Sequence, residues 1–131
     1  MPRGPFGRGG MQRRGMGPMR GGSMYLKTCI LVLLQKERSY GYSLANDLRQ
    51  FGIDPEMIDI SIIYRALRDL EIEGLVTTSW EERSLGPQRR MYALTPQGRE
   101  VLMSLMQELH ERRREIEALE RVYEEATKRD P

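Results

Sequence analysis

Between Gly98 and Pro131 the chain contains neither glycine nor proline, and this uninterrupted stretch constrains the fold more than any other feature. Thr95-Pro96 opens it in the favoured way, with threonine as the cap and proline in the first turn. A single helix is therefore predicted from residue 96 to about Lys128, over 30 residues, roughly 50 Å long at ~1.5 Å per residue. Along it Leu102, Leu105, Leu109, Arg112, Ile116, Leu119, Tyr123 and Ala126 step alternately by three and four. That is the spacing of a coiled-coil seam with one polar member. A small domain cannot cover such a stripe over its whole length, so a partner is implied, most simply a second copy of the chain. The early turns are expected to pack on the first helix of the same chain or of the partner. The later turns are expected to pair. The dimerisation set is read as Leu102, Leu105, Leu109, Ile116, Leu119 and Tyr123.

Upstream, the apolar period is helical three times and then changes. Leu26, Ile30, Leu33 and Leu34 define a first helix through about Lys36. Ser39 is read as the cap of a second helix with Leu44, Ala45, Leu48 and Phe51 on its inner face, ended by Gly52. Asp54-Pro55 breaks the chain. A third helix follows from about Asp59 to Glu73, its inner face Ile63, Ala66, Leu67 and Leu70, stopped by Gly74. Leu75 to Glu82 and Arg89 to Leu94 then have strand character, joined by the turn-rich Arg83-Ser84-Leu85-Gly86-Pro87-Gln88. Three helices, a β-hairpin and a long helix make a mainly α chain with a small β element. This is the order of a winged helix-turn-helix carrying a C-terminal dimerisation helix. The domains are read as an arm over 1–22, a winged-helix unit over 23–95 and a coiled-coil-like helix over 96–131.

Charge sharpens the picture only when divided along the chain. Residues 1–22 hold five arginines and no acid, so the remainder carries −3, the difference between the net +2 and the arm's +5. Any surface for nucleic acid must then be a local patch. Over a third of the arm is glycine, and such a segment cannot bury enough apolar surface to offset its ordering entropy, so disorder is expected there. No apolar run approaches the roughly 20 residues of a membrane span, and the first residues lack the apolar core of a secretion signal. A cytoplasmic protein is expected. The single cysteine, Cys29, excludes an internal disulfide and a cysteine-rich zinc site. It sits on the apolar first helix and is read as core. His110 is read as a surface residue, and Trp80 as a packing anchor of the first wing strand. With no nucleophile–base pair, paired acids or phosphate-cradling loop, an enzyme is not expected, nor any cofactor or metal.

The third helix carries the chemistry. At ~100° per residue, Ser61, Tyr64, Arg65 and Arg68 fall opposite its apolar face. A hydroxyl, a phenol and two guanidiniums suit base edges and phosphates in a major groove. The bland alternative is that Arg65 and Arg68 only pair with Asp69 or Glu71. Gln88, Arg89 and Arg90 at the base of the hairpin add a second basic point, suited to the minor groove. Strand alternation allows only one of the two arginines to face DNA directly. Tyr40-Gly41-Tyr42 opens the second helix, with Tyr40 read as the outward tyrosine and a phosphate contact. Two such reading heads on a twofold axis fit a palindromic site with half-sites about 34 Å, or a multiple of that, apart. A protein-interaction module and a constitutive DNA-architectural protein are the rival readings, the first kept alive by the acidic body.

These residues carry a resemblance. Ser39-Tyr40-Gly41-Tyr42, the run from Ile63 to Glu71, Glu73-Gly74-Leu75-Val76, Trp80-Glu81-Glu82, the run from Gly86 to Tyr92 and Leu94-Thr95-Pro96-Gln97-Gly98 occur in the order and spacing of the PadR family. The chain resembles that family of bacterial transcriptional regulators from about Leu26 to Leu102. Its single long C-terminal helix is similar to the short branch of the family, which dimerises through it. The resemblance implies a homodimeric repressor of double-stranded operator DNA, released when a small-molecule effector binds. The glycine- and arginine-rich arm is outside the family pattern.

Overall fold

The structure, a computed structural model, describes residues 22–81 and 89–129. The arm assigned to 1–22 (save Gly22, which opens the first helix), the loop 83–88 and with it Gln88 lie outside the described residues. The elements run α1 (Gly22–Lys36), β1 (Ser39–Tyr40), α2 (Gly41–Asp47), a 3-10 turn (Leu48–Phe51), α3 (Ile60–Ile72), β2 (Val76–Glu81), β3 (Arg89–Leu94) and α4 (Pro96–Arg129). This is the winged helix-turn-helix with a long terminal helix that the sequence predicts.

Helix α1 is the centre of the domain. Leu26, Thr28, Cys29, Ile30, Leu31, Leu33 and Leu34 are all buried, and their positions span more than half of the helix circumference, so α1 is surrounded rather than laid on a surface. Burying a leucine or isoleucine side chain contributes about 1.5–3 kcal/mol, and α1 alone supplies five of them. The buried hydroxyl of Thr28 donates to the Met24 carbonyl at 2.9 Å, so it costs the core nothing unpaired. Leu44 and Leu48 close one side of α1, and Ile63, Leu67 and Leu70 of α3 another. Gly52 and Gly74, at φ 83° and 80°, end the helical runs before them.

The sheet has three strands, not the two of a hairpin, in the order β1-β3-β2. Val76 to Glu81 pairs antiparallel with Leu94 to Arg89, and on the other edge of β3 Ser39 faces Tyr92 and Tyr40 faces Met91. Ser39 is therefore not the cap of α2. The extended backbone of β1 places Tyr40 at that position, with no side-chain cap bond. A two-residue strand is too short to leave a period in the sequence.

The early turns of α4 pack within the chain. Leu102 and Leu105 are 5% and 8% exposed and belong to the core around α1. Little of either is left for another chain, so the later turns carry the proposed pairing. Leu109 is half-buried, and from Glu111 to Arg129 every residue is exposed, including Ile116, Leu119 and Tyr123.

The start of α4 is fixed to the end of α3 by a compact joint. Leu75 N donates to Leu70 O at 2.9 Å, and Thr95 N donates to Leu75 O at 3.1 Å. The Thr95 hydroxyl donates to Gly74 O at 2.8 Å and accepts from Gly98 N at 2.9 Å, which makes it the cap of α4. The helix passes so close that a Cβ on Gly98 would collide with the Leu75 carbonyl oxygen and come within 2.8 Å of Leu94 Cδ1. In an open helix, exchanging glycine for alanine gains about 1 kcal/mol. Here overpacking against backbone wins, and Gly98→Ala is expected to destabilise the fold by about 2 kcal/mol. Urea unfolding measures this, and an unchanged or higher midpoint would show that the joint has room.

Candidate nucleic-acid interface

Helix α3 is delivered by a pinned turn. Arg49, in the 3-10 turn, holds Asp54 and Glu56 at 3.0 Å each and reaches Asn46 Oδ1 at 3.2 Å. Asp54 also accepts from Glu56 N at 2.9 Å. Exposed ion pairs add little stability singly, but one guanidinium bound at three points fixes the path from α2 to α3. Asp59 then caps α3, its carboxylate accepting from Ser61 N at 3.0 Å.

The inner face of α3 is buried as expected at Ile63, Ala66, Leu67 and Leu70. Ser61, Tyr64, Arg65 and Arg68 are all exposed, Tyr64 at 44%. The acids that could have neutralised the arginines are engaged elsewhere. Lys27 of α1 lies 3.5 Å from Asp69 and 3.4 Å from Glu73, and Glu71 accepts from the Thr78 hydroxyl at 2.9 Å. Among the described residues neither Arg65 nor Arg68 forms an ion pair. The Tyr64 ring lies over Gly41, where any Cβ would stand 2.8 Å from its Cε1. Only glycine at the start of α2 lets that ring come in beside the helix-turn-helix.

The two tyrosines flanking Gly41 are placed opposite to expectation. Tyr42 is 77% exposed, whereas Tyr40 is half-buried, its hydroxyl donating to Glu81 and its ring covered by the Arg89 guanidinium at 4.6 Å. In so short a helix, periodicity gives no sign of which tyrosine turns outward. Trp80 is not a packing anchor. It is 61% exposed, with the Arg90 guanidinium 5.2 Å from its ring centre. The sheet register makes Trp80 the direct partner of Arg90 and Glu81 that of Arg89, so the two arginines leave opposite faces. Ile60 and Met57, exposed at the entry to α3, also went unremarked in the sequence, since exposed apolar residues carry no period of their own.

The described residues contain no group of His, Cys, Asp and Glu able to hold a metal ion, and no helix long and apolar enough to cross a membrane. Cys29 is buried in the core, and burial pushes its thiol up. The carboxyl of Asp59 is held below its ordinary range, first by the Ser61 backbone bond, then by the Ser61 hydroxyl, with the charge of Arg65 adding to both. A depressed folded-state value means that the cap stabilises at neutral pH and fades as acid protonates it. Asp59→Ala is accordingly expected to lower the melting temperature at neutral pH, with the deficit closing below the carboxylate range. Thermal melts across that interval check it, and a deficit that ignores pH would contradict the cap.

Residues 30–104 match the model of the transcriptional regulator PadR-like family. Among solved structures, a conserved protein of unknown function, presented as a potential transcriptional factor, is 36% identical at a TM-score of 0.71, with 88% of this chain and 99% of that chain covered. A PadR-like transcriptional regulator from Bacillus cereus is 30% identical at a TM-score of 0.63, with 72% of this chain and 89% of that chain covered. Bacillus subtilis PadR in complex with operator DNA is 28% identical at a TM-score of 0.56, with 63% of this chain covered but 46% of that chain, so the present chain spans less than half of it. No curated protein matches the chain.

Proposed function

The chain belongs to the PadR-like family of transcriptional regulators, and from that premise we propose that it is a sequence-specific repressor that binds a palindromic operator as a homodimer and leaves it when a small-molecule effector binds. The observation that carries DNA binding is the outer face of α3: Ser61, Tyr64, Arg65 and Arg68 stand in solvent, the arginines without ion pairs among the described residues, on a helix gripped from behind by Ile63 and Leu67. An operator complex of Bacillus subtilis PadR supports the same use of the fold here. Arg65 and Arg68 are assigned to base edges and phosphates, Ser61 and Tyr64 to flanking contacts, and the exposed guanidinium of Arg90 to the wing contact. Tyr42 replaces Tyr40 as the tyrosine best placed to meet a phosphate beside α2. Effector response rests on the family resemblance.

Pairing is supported by α4. On its later turns it exposes Ile116, Leu119 and Tyr123 along the seam, with Val122 beside them, an apolar stripe of the kind that marks an interface. A second copy covers it and brings two reading heads to one side of a duplex.

Two experiments test these parts separately, using a duplex that the intact protein selects from a random-sequence pool. Arg65→Ala with Arg68→Ala is expected to cost roughly 1–3 kcal/mol per contact with the oligomer unchanged. Titration at fixed salt showing wild-type affinity would refute the assignment of α3. Leu119→Glu with Ile116→Glu should halve the mass seen by light scattering, because two carboxylates cannot be desolvated in an apolar seam. A mass that stays put would remove α4 from the interface.

A further inference from the structure

Both wing arginines are stacked, and the two stacks are unequal. Arg89 lies over Tyr40, and Tyr40 is bonded to Glu81, the cross-strand partner of Arg89. That guanidinium is tied to β1 and to the start of α2. Arg90 lies over Trp80, which is 61% exposed and itself stands directly opposite Arg90 across the ladder. Alternation puts Trp80 and Arg90 on the same sheet face as Thr78 and Tyr92. The Thr78 hydroxyl donates to Glu71 of α3 at 2.9 Å, so this is the face turned toward the recognition helix. Tyr92 is buried in the core, and the two outermost members of the row, Trp80 and Arg90, run past it into solvent.

An indole left in water gains nothing from burial. Its flat face does attract a guanidinium, more strongly than a tyrosine or phenylalanine ring does, when the cation sits within about 6 Å of the ring. The stack removes rotamer freedom from Arg90 before any ligand arrives, so less is lost when the guanidinium meets a phosphate. We infer that Trp80 is a positioning residue for DNA binding: it holds the Arg90 guanidinium on the α3 side of the wing, aimed at the DNA backbone beside the groove that α3 enters. The inference rests on the reading of α3 and the wing as a DNA surface.

The test uses the full chain and the duplex selected from a random pool, with affinity followed against salt. Arg90→Ala should lower the slope of log K against log salt by about 0.9, the share of one phosphate contact. Trp80→Leu removes no charge, yet it should lower the slope in the same direction and weaken binding about two- to fivefold, the range of an exposed cation–π contact. Trp80→Phe should recover most of both. The double variant should be no worse than Arg90→Ala alone. Trp80 is the chain's single tryptophan, so its emission without DNA should shift in Arg90→Ala and report the stack directly. A Trp80→Leu protein with wild-type slope and affinity, additive losses in the double variant, or emission indifferent to Arg90→Ala would each overturn the positioning role while leaving α3 as the reading element. No change in Arg90→Ala itself would remove the wing contact and the inference together. Failure of the chain to select any duplex would instead strike the DNA-binding reading.

Discussion

The geometry of the molecule turns on the few hydrogen bonds that join the end of α3 to the beginning of α4. Thr95 bonds Gly74 and Leu75 on one side and Gly98 on the other, while Leu75 N returns to Leu70 in α3. Nothing larger than hydrogen fits at Gly98 between α4 and the Leu75 carbonyl. The helix bearing the exposed arginines and the helix that leaves the domain are thereby set at one angle by direct hydrogen bonds. In a paired molecule that angle determines how far apart two reading heads lie.

What holds α3 in place acts from behind and from the side. Ile63, Leu67 and Leu70 are almost wholly buried against α1, and Lys27 crosses from α1 to Asp69 and Glu73. The lysine engages Asp69 and Glu73 beside the outer face, which leaves Arg65 and Arg68 without an ion pair among the described residues. Positive potential on a chain whose body is net acidic thus arises from local distribution of charge. Packing and charge partition act together, and neither alone would present a basic face on a near-neutral protein.

Much of this was legible in the residues. The third helix was readable because its four inner apolar residues and its polar face separate cleanly at helical period, and both ends are marked, by Asp59 and Gly74. Thr95-Pro96 announced α4 for reasons of cap chemistry that the Gly98 N–H bond bears out. What escaped has physical causes. Leu102 and Leu105 share the same three-and-four spacing as Leu119 and Tyr123, and periodicity cannot say whether a stripe is covered by its own domain or lies open. Strand β1 is two residues long and is defined by its partner rather than by its composition. The placement of Tyr40 and Trp80 is not legible, because an aromatic ring can be covered by a guanidinium as well as by a core, and a linear sequence does not show cross-strand register.

The short strand β1 has a mechanical consequence. Because Ser39 and Tyr40 pair with β3 immediately before α2 begins, the wing and the helix-turn-helix are hydrogen-bonded into one body, with Tyr40, Arg89 and Glu81 as the weld. A shear of the sheet would drag the first turn of α2 with it, and Gly41 would carry the Tyr64 ring along. Strain applied to β1 is therefore passed, through the close approach of Gly41 to Tyr64, toward the outer face of α3.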